Sequence, residues 1–112
     1  MAYYGTNAAV VWVNTTGTGS VRDGFNVSSV TNNATGDLTI SFNDNLTDND
    51  YAITGLLDNW EGTNSDSGGI LTGYSNSCLS VGSCRLVTLR ARFTWDTPQR
   101  QNFGNVTVAC FR

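Results

Sequence analysis

The chain has 112 residues, a formal net charge of −3 and only 13% charged residues. That length supports one hydrophobic core, so residues 1–112 read as a single domain. The charge excludes the basic field that nucleic acid requires, and no run approaches the ~20 apolar residues of a membrane-spanning helix. There is no His and no Lys, Glu61 is the sole Glu and Pro98 the sole Pro, while Gly, Ser, Thr and Asn dominate. Good helix formers are scarce and no long window has apolar residues three and four apart. The expected fold is all-β: a small antiparallel β-sandwich or flattened barrel with essentially no helix.

From the N-terminus, Met1-Ala2-Tyr3-Tyr4 lacks the basic start of a signal peptide, which argues against the standard secretory route. Ala8 to Val13 is apolar on both faces, with Ala8, Val10 and Trp12 on one and Ala9, Val11 and Val13 on the other. Either a loop covers one face, or Val11 and Val13 form a subunit contact. Phe25, Val27 and Ser29 then alternate with Asn26, Ser28 and Val30. After the turn formers Asn32 to Gly36, Leu38, Ile40 and Phe42 alternate with Asp37, Thr39 and Ser41. The two runs predict a β-hairpin.

Asn43 to Asp50 is rich in oxygen ligands but lacks the spacing of a calcium loop, so it reads as solvated connection. Tyr51 to Leu57 is a further strand, with Tyr51, Ile53 and Leu57 on one face. Asp58 to Ser77 reads as a loop of about twenty residues, a length that is usually functional or disordered. Its Trp60 and Tyr74 offer amphipathic rings, and Asp58, Glu61 and Asp66 offer acceptors for sugar hydroxyls or a protein partner. A core-capping Trp60 on a plain connector is the competing reading. Asp58 and Glu61 do not make a glycosidase pair, since nothing near them in sequence provides the burial that raises a catalytic acid's pKa.

Arg85 to Trp95 alternates over its whole length and predicts a central strand, with Val87, Leu89, Ala91, Phe93 and Trp95 inward and Leu86, Thr88, Arg90, Arg92 and Thr94 outward. In the last strand Val106, Val108 and Cys110 point inward, and Phe111 on the opposite face predicts contact outside the monomer. Cys78 and Cys84 lie close enough in sequence for a disulfide, whereas Cys110 reads as a core residue. Three thiols without His or a C-x-x-C pair make no zinc site. No cofactor is expected, and without His or Lys the usual general bases are missing, so an enzyme is not expected.

The segments Trp12-Val13-Asn14, Gly17-Thr18-Gly19, Phe25-Asn26-Val27-Ser28-Ser29-Val30-Thr31, Gly36-Asp37, Asp50-Tyr51-Ala52-Ile53 and Val106 to Arg112 together resemble a module of tailed-bacteriophage tail fibres and related virion proteins. The resemblance covers the first half and the last strand, and leaves Asp58 to Cys84 unmatched. It implies a place on a virion assembled in the host cytoplasm, a homotrimer, and contacts with other virion proteins. Two functions follow as expectations. One is host attachment through a cell-surface glycan or protein, held by the Asp58–Ser77 loop. The other is decoration or cementing of the head, or a collar role. Subunit contacts are expected at Val11, Val13 and Phe111.

Overall fold

A computed structural model describes residues 8–58, 67–75, 78–92 and 97–112. Within them nine strands and no helix occur: β1 (Ala9–Thr15), β2 (Val21–Phe25), β3 (Val27–Ala34), β4 (Asp37–Phe42), β5 (Ala52–Asp58), β6 (Ser67–Gly73), β7 (Ser83–Arg92), β8 (Gln99–Arg100) and β9 (Asn105–Phe111). They form two antiparallel sheets, β2-β1-β9-β5 and β3-β4-β7-β6, with β8 on β7. The all-β expectation holds.

The predicted hairpin is present: β3 and β4 pair from Val27–Phe42 to Ala34–Asp37. Phe25 is not part of it. Asn26 adopts φ 57°, a left-handed conformation that Asn tolerates better than most residues. There the chain leaves one sheet for the other, since Phe25 pairs with Trp12 and Val27 with Phe42. The Asn26 amide anchors the crossing by donating to the carbonyls of Val10 and Asp44 and accepting from the Asp44 N–H at 2.7 Å.

Between the sheets lie Val11, Val13, Val106, Val108 and Cys110 from the first and Leu38, Ile40, Phe42, Cys84 and Leu86 from the second. Tyr51 packs edge-on against Phe42 with ring centroids 6.1 Å apart, and its hydroxyl donates to the Ser80 carbonyl at 2.9 Å. Phe103 joins the same core.

Three expectations are corrected. Val11 and Val13 are 1% and 2% exposed and fill the monomer's own core, so they form no subunit seam; Trp12 is the outward residue of β1. In β7 the inward face is Cys84, Leu86 and Thr88, opposite to the expected one. Thr88 is tolerated inside because its hydroxyl donates to the Gln101 carbonyl at 2.6 Å. Phe93 and Trp95, which favoured the other parity, lie outside the described residues. Third, the stretch read as one long loop contains β6, which runs antiparallel to β7 from Ser67–Arg92 to Gly73–Leu86.

Gly36 lies just before β4 begins, at the point along β7 where β8 takes over from β4 on the same side. Its carbonyl accepts from the Thr88 N–H, whose own carbonyl accepts from Gln101 N–H. At φ 65°, a Cβ here would stand 2.5 Å from the Thr88 oxygen and 2.8 Å from the Gln101 nitrogen. Gly36→Ala is therefore expected to cost roughly 2 kcal/mol or more, read as a lower urea midpoint with an unchanged slope.

Candidate functional site

Alternation puts a second set of side chains on the outer face of the β2-β1-β9-β5 sheet. Register aligns Phe25, Trp12, Ala109 and Thr54 in one row across it, and Asp23, Asn14, Thr107 and Leu56 in the next. Trp12 is 37% exposed, Phe25 56% and Leu56 66%, with Phe111 (39%) on the same face beyond Ala109. Thr107 and Ala109 of β9 are small, so a shallow groove of about 440 Å³ runs along that strand between Trp12 and Leu56. Isolated apolar side chains on a surface are ordinary; a tryptophan, a leucine and two phenylalanines on one face are the feature that marks contact surfaces. Arg22, donating to Asn14 Oδ1 at 3.3 Å and to the Gly104 carbonyl at 2.8 Å, forms part of its polar rim.

The outer face of the other sheet is mixed: Ile70, Val87 and Leu89 share it with a polar cluster. Asp37, with its side chain 3% exposed, accepts from Arg85 Nε at 2.9 Å and Nη2 at 2.7 Å, and from Asn33 at 3.2 Å. Arg100 lies 3.8 Å from the same carboxylate. The Arg85 guanidinium holds the Asp37 carboxyl below the usual carboxylate range, against the opposing pull of burial. The Arg85 guanidinium also stacks over the Tyr74 ring at 3.7 Å from its centroid.

These contacts locate the expected site residues. Leu57 lies against Gly69, and Gly55 against Leu71, so β5 and β6 run side by side in opposite directions. Asp58 therefore lies near the start of β6 and Tyr74 just past its end, about 20 Å apart. Tyr74 is half-buried under Arg85 rather than displayed with Asp58. The two do not share a site. Trp60, Glu61 and Asp66 lie outside the described residues. Phe111 is exposed, as expected. In the Asn43–Asp50 connection, the Asp48 carboxylate accepts from Arg112 Nε at 2.8 Å and, with Nη2, makes a bidentate pair.

Sequence reasoning missed Trp12 and Phe25 as members of one exposed apolar face, and the Asp37–Arg85 pair. Trp12 carried a signal in the two-faced pattern of β1. The ion pair carried none, because 48 positions separate its members. Comparison of the chain with family models, with curated proteins and with solved structures finds no match to any of them.

Proposed function

We propose that this chain is a non-catalytic structural protein of a tailed-phage virion, a tail-fibre-type module that docks onto a neighbouring protein subunit through the outer face of β2-β1-β9-β5. The observation that carries the docking is the row Phe25–Trp12–Ala109 with Leu56 and Phe111 beside it. Tryptophan and phenylalanine are enriched at protein contacts because one rigid ring removes a large apolar area from water at low entropic cost. The virion assignment rests on the sequence resemblance described above. A second copy of the chain is one such neighbour, as the implied homotrimer would require.

The host-attachment role belongs to the same proposal, with the chain presenting Asp58 and the segment that follows it to a cell-surface glycan or protein. Decoration of the head is the second reading, and one observation favours it. Tyr74 lies beneath Arg85 rather than at a free tip, while the apolar outer face is broad. Both readings use that face for docking.

Trp12→Asp tests the docking directly. Trp12 faces outward, so the variant keeps the cooperative melting of the native chain, while incorporation into particles falls about tenfold or more, as expected for loss of a central aromatic anchor. Incorporation at the native level would remove the assigned face.

A further inference from the structure

Asp23 and Gly24 stand together in β2, and no other Asn or Asp of the chain is followed by glycine. β2 is an edge strand: among the described residues it pairs with β1 alone, and all of its residues are exposed. The Gly24 N–H donates to Asp23 Oδ1 at 2.9 Å, which brings the carboxyl against the backbone nitrogen of the next residue. Among the described residues no other group competes for that carboxylate. Arg22, the adjacent cation, is turned instead to Asn14 and to the carbonyls of Thr15 and Gly104. Packing also keeps residue 24 a glycine, because a Cβ there would stand 3.0 Å from the Trp12 carbonyl oxygen. Without a side chain, its nitrogen is unhindered.

We infer that Asp23–Gly24 is a modification site at which the folded, undocked chain converts aspartate to isoaspartate, with water as the only co-reactant. The Gly24 nitrogen forms a bond to the Asp23 side-chain carboxyl carbon, closing a five-membered succinimide. One carboxyl oxygen leaves as water, taking the Gly24 amide proton and one proton from solvent. Water then adds to the ring carbonyl that came from the Asp23 main chain, and the bond from that carbon to the Gly24 nitrogen breaks. The nitrogen regains a proton, the freed main-chain carboxylate stays on Cα, and one proton returns to solvent. The chain now runs through the Asp23 side chain, and its mass is unchanged. Holding the two reacting groups side by side is what the hydrogen bond contributes.

The product adds one backbone atom between Asp23 and Gly24. β2 pairs with β1 on both sides of that bond, Asn14 with Asp23 and Trp12 with Phe25, so the insertion breaks the ladder and shifts Phe25 out of the row it shares with Trp12. No residue of β2 belongs to the core, so the rest of the sandwich keeps its packing. Loss of docking as a consequence rests on the face proposed above; the modification itself rests on β2 alone.

The test is ageing of the native chain in warm neutral buffer below its melting temperature, beside the free peptide Val-Arg-Asp-Gly-Phe. Isoaspartate is read by isoaspartyl methyltransferase labelling and located by peptide mapping. An exposed edge strand opens at little cost, so the folded chain is expected to form isoaspartate at position 23 within about tenfold of the peptide's rate, with a cooperative melt retained. A slower rate, or none, would mean that the strand protects the bond and would overturn the inference. Asp23→Glu, which needs a larger imide ring, is expected to remove the label at this position; a label that persists there would overturn the assignment. Aged chain should enter particles less readily than fresh chain. Equal entry would overturn the effect on docking and leave the modification standing.

Discussion

Val13→Asp is expected to abolish the folded state rather than to dissociate an oligomer. Val13 is 2% exposed and lies in the core with Val11, Val106 and Val108. A carboxylate placed there has no partner, and its transfer from water costs about 5 kcal/mol or more unless it takes up a proton. That is comparable with the whole stability of a small domain, on the order of 5–15 kcal/mol. Circular dichroism of the variant should show no cooperative melt at neutral pH. The neighbouring Trp12→Asp should still melt cooperatively, at a lower temperature than the native chain, because its side chain faces outward but is only 37% exposed. A folded, monomeric Val13→Asp would mean that β1 has the reverse orientation.

The second large effect is at Asp37. Asp37→Asn keeps the shape of the side chain but removes the charge that Arg85 grips in a bidentate pair and Arg100 approaches. Arg85 is 39% exposed, so solvent compensates part of the loss, and the expected cost at neutral pH is roughly 2 kcal/mol. The pH dependence follows from the direction of the shift. The Asp37 carboxyl is lowered in the folded chain from 3.8, chiefly by the Arg85 hydrogen bond. Its contribution is therefore complete above the unfolded value and is lost as the pH falls through the lower folded one. Urea midpoints of the native chain and Asp37→Asn should differ at pH 7 and converge in strong acid. A difference independent of pH would remove the ion pair from the account.

How far the fold is legible depends on whether each strand has one apolar face or two. β4 and β9 alternate cleanly, so Leu38, Ile40 and Phe42 and then Val106, Val108 and Cys110 were placed inward correctly. β1 and β7 carry apolar residues on both faces, and alternation gives the parity without saying which face is inside. In β1 the slender valines fill the space between sheets and the bulky Trp12 stays out. In β7 a threonine takes a core position because a carbonyl thirteen residues away accepts its hydroxyl. β6 was unreadable for a different reason. Ser67-Gly68-Gly69-Ile70-Leu71-Thr72-Gly73 has weak strand propensity, yet its glycines admit close neighbours: a Cβ at Gly69 would stand 2.7 Å from Leu57 Cβ, and one at Gly73 2.5 Å from Cys78 Sγ. The contact face depends on register across four strands, which no local pattern contains.

Cryo-electron microscopy of intact phage particles labelled with a Fab against this chain tests the central proposal most directly. The account predicts label on the particle, with Trp12, Phe25 and Leu56 of the docked chain covered by a neighbouring subunit. Particles that carry no label, or a bound chain whose Trp12 face is open to solvent, would contradict it.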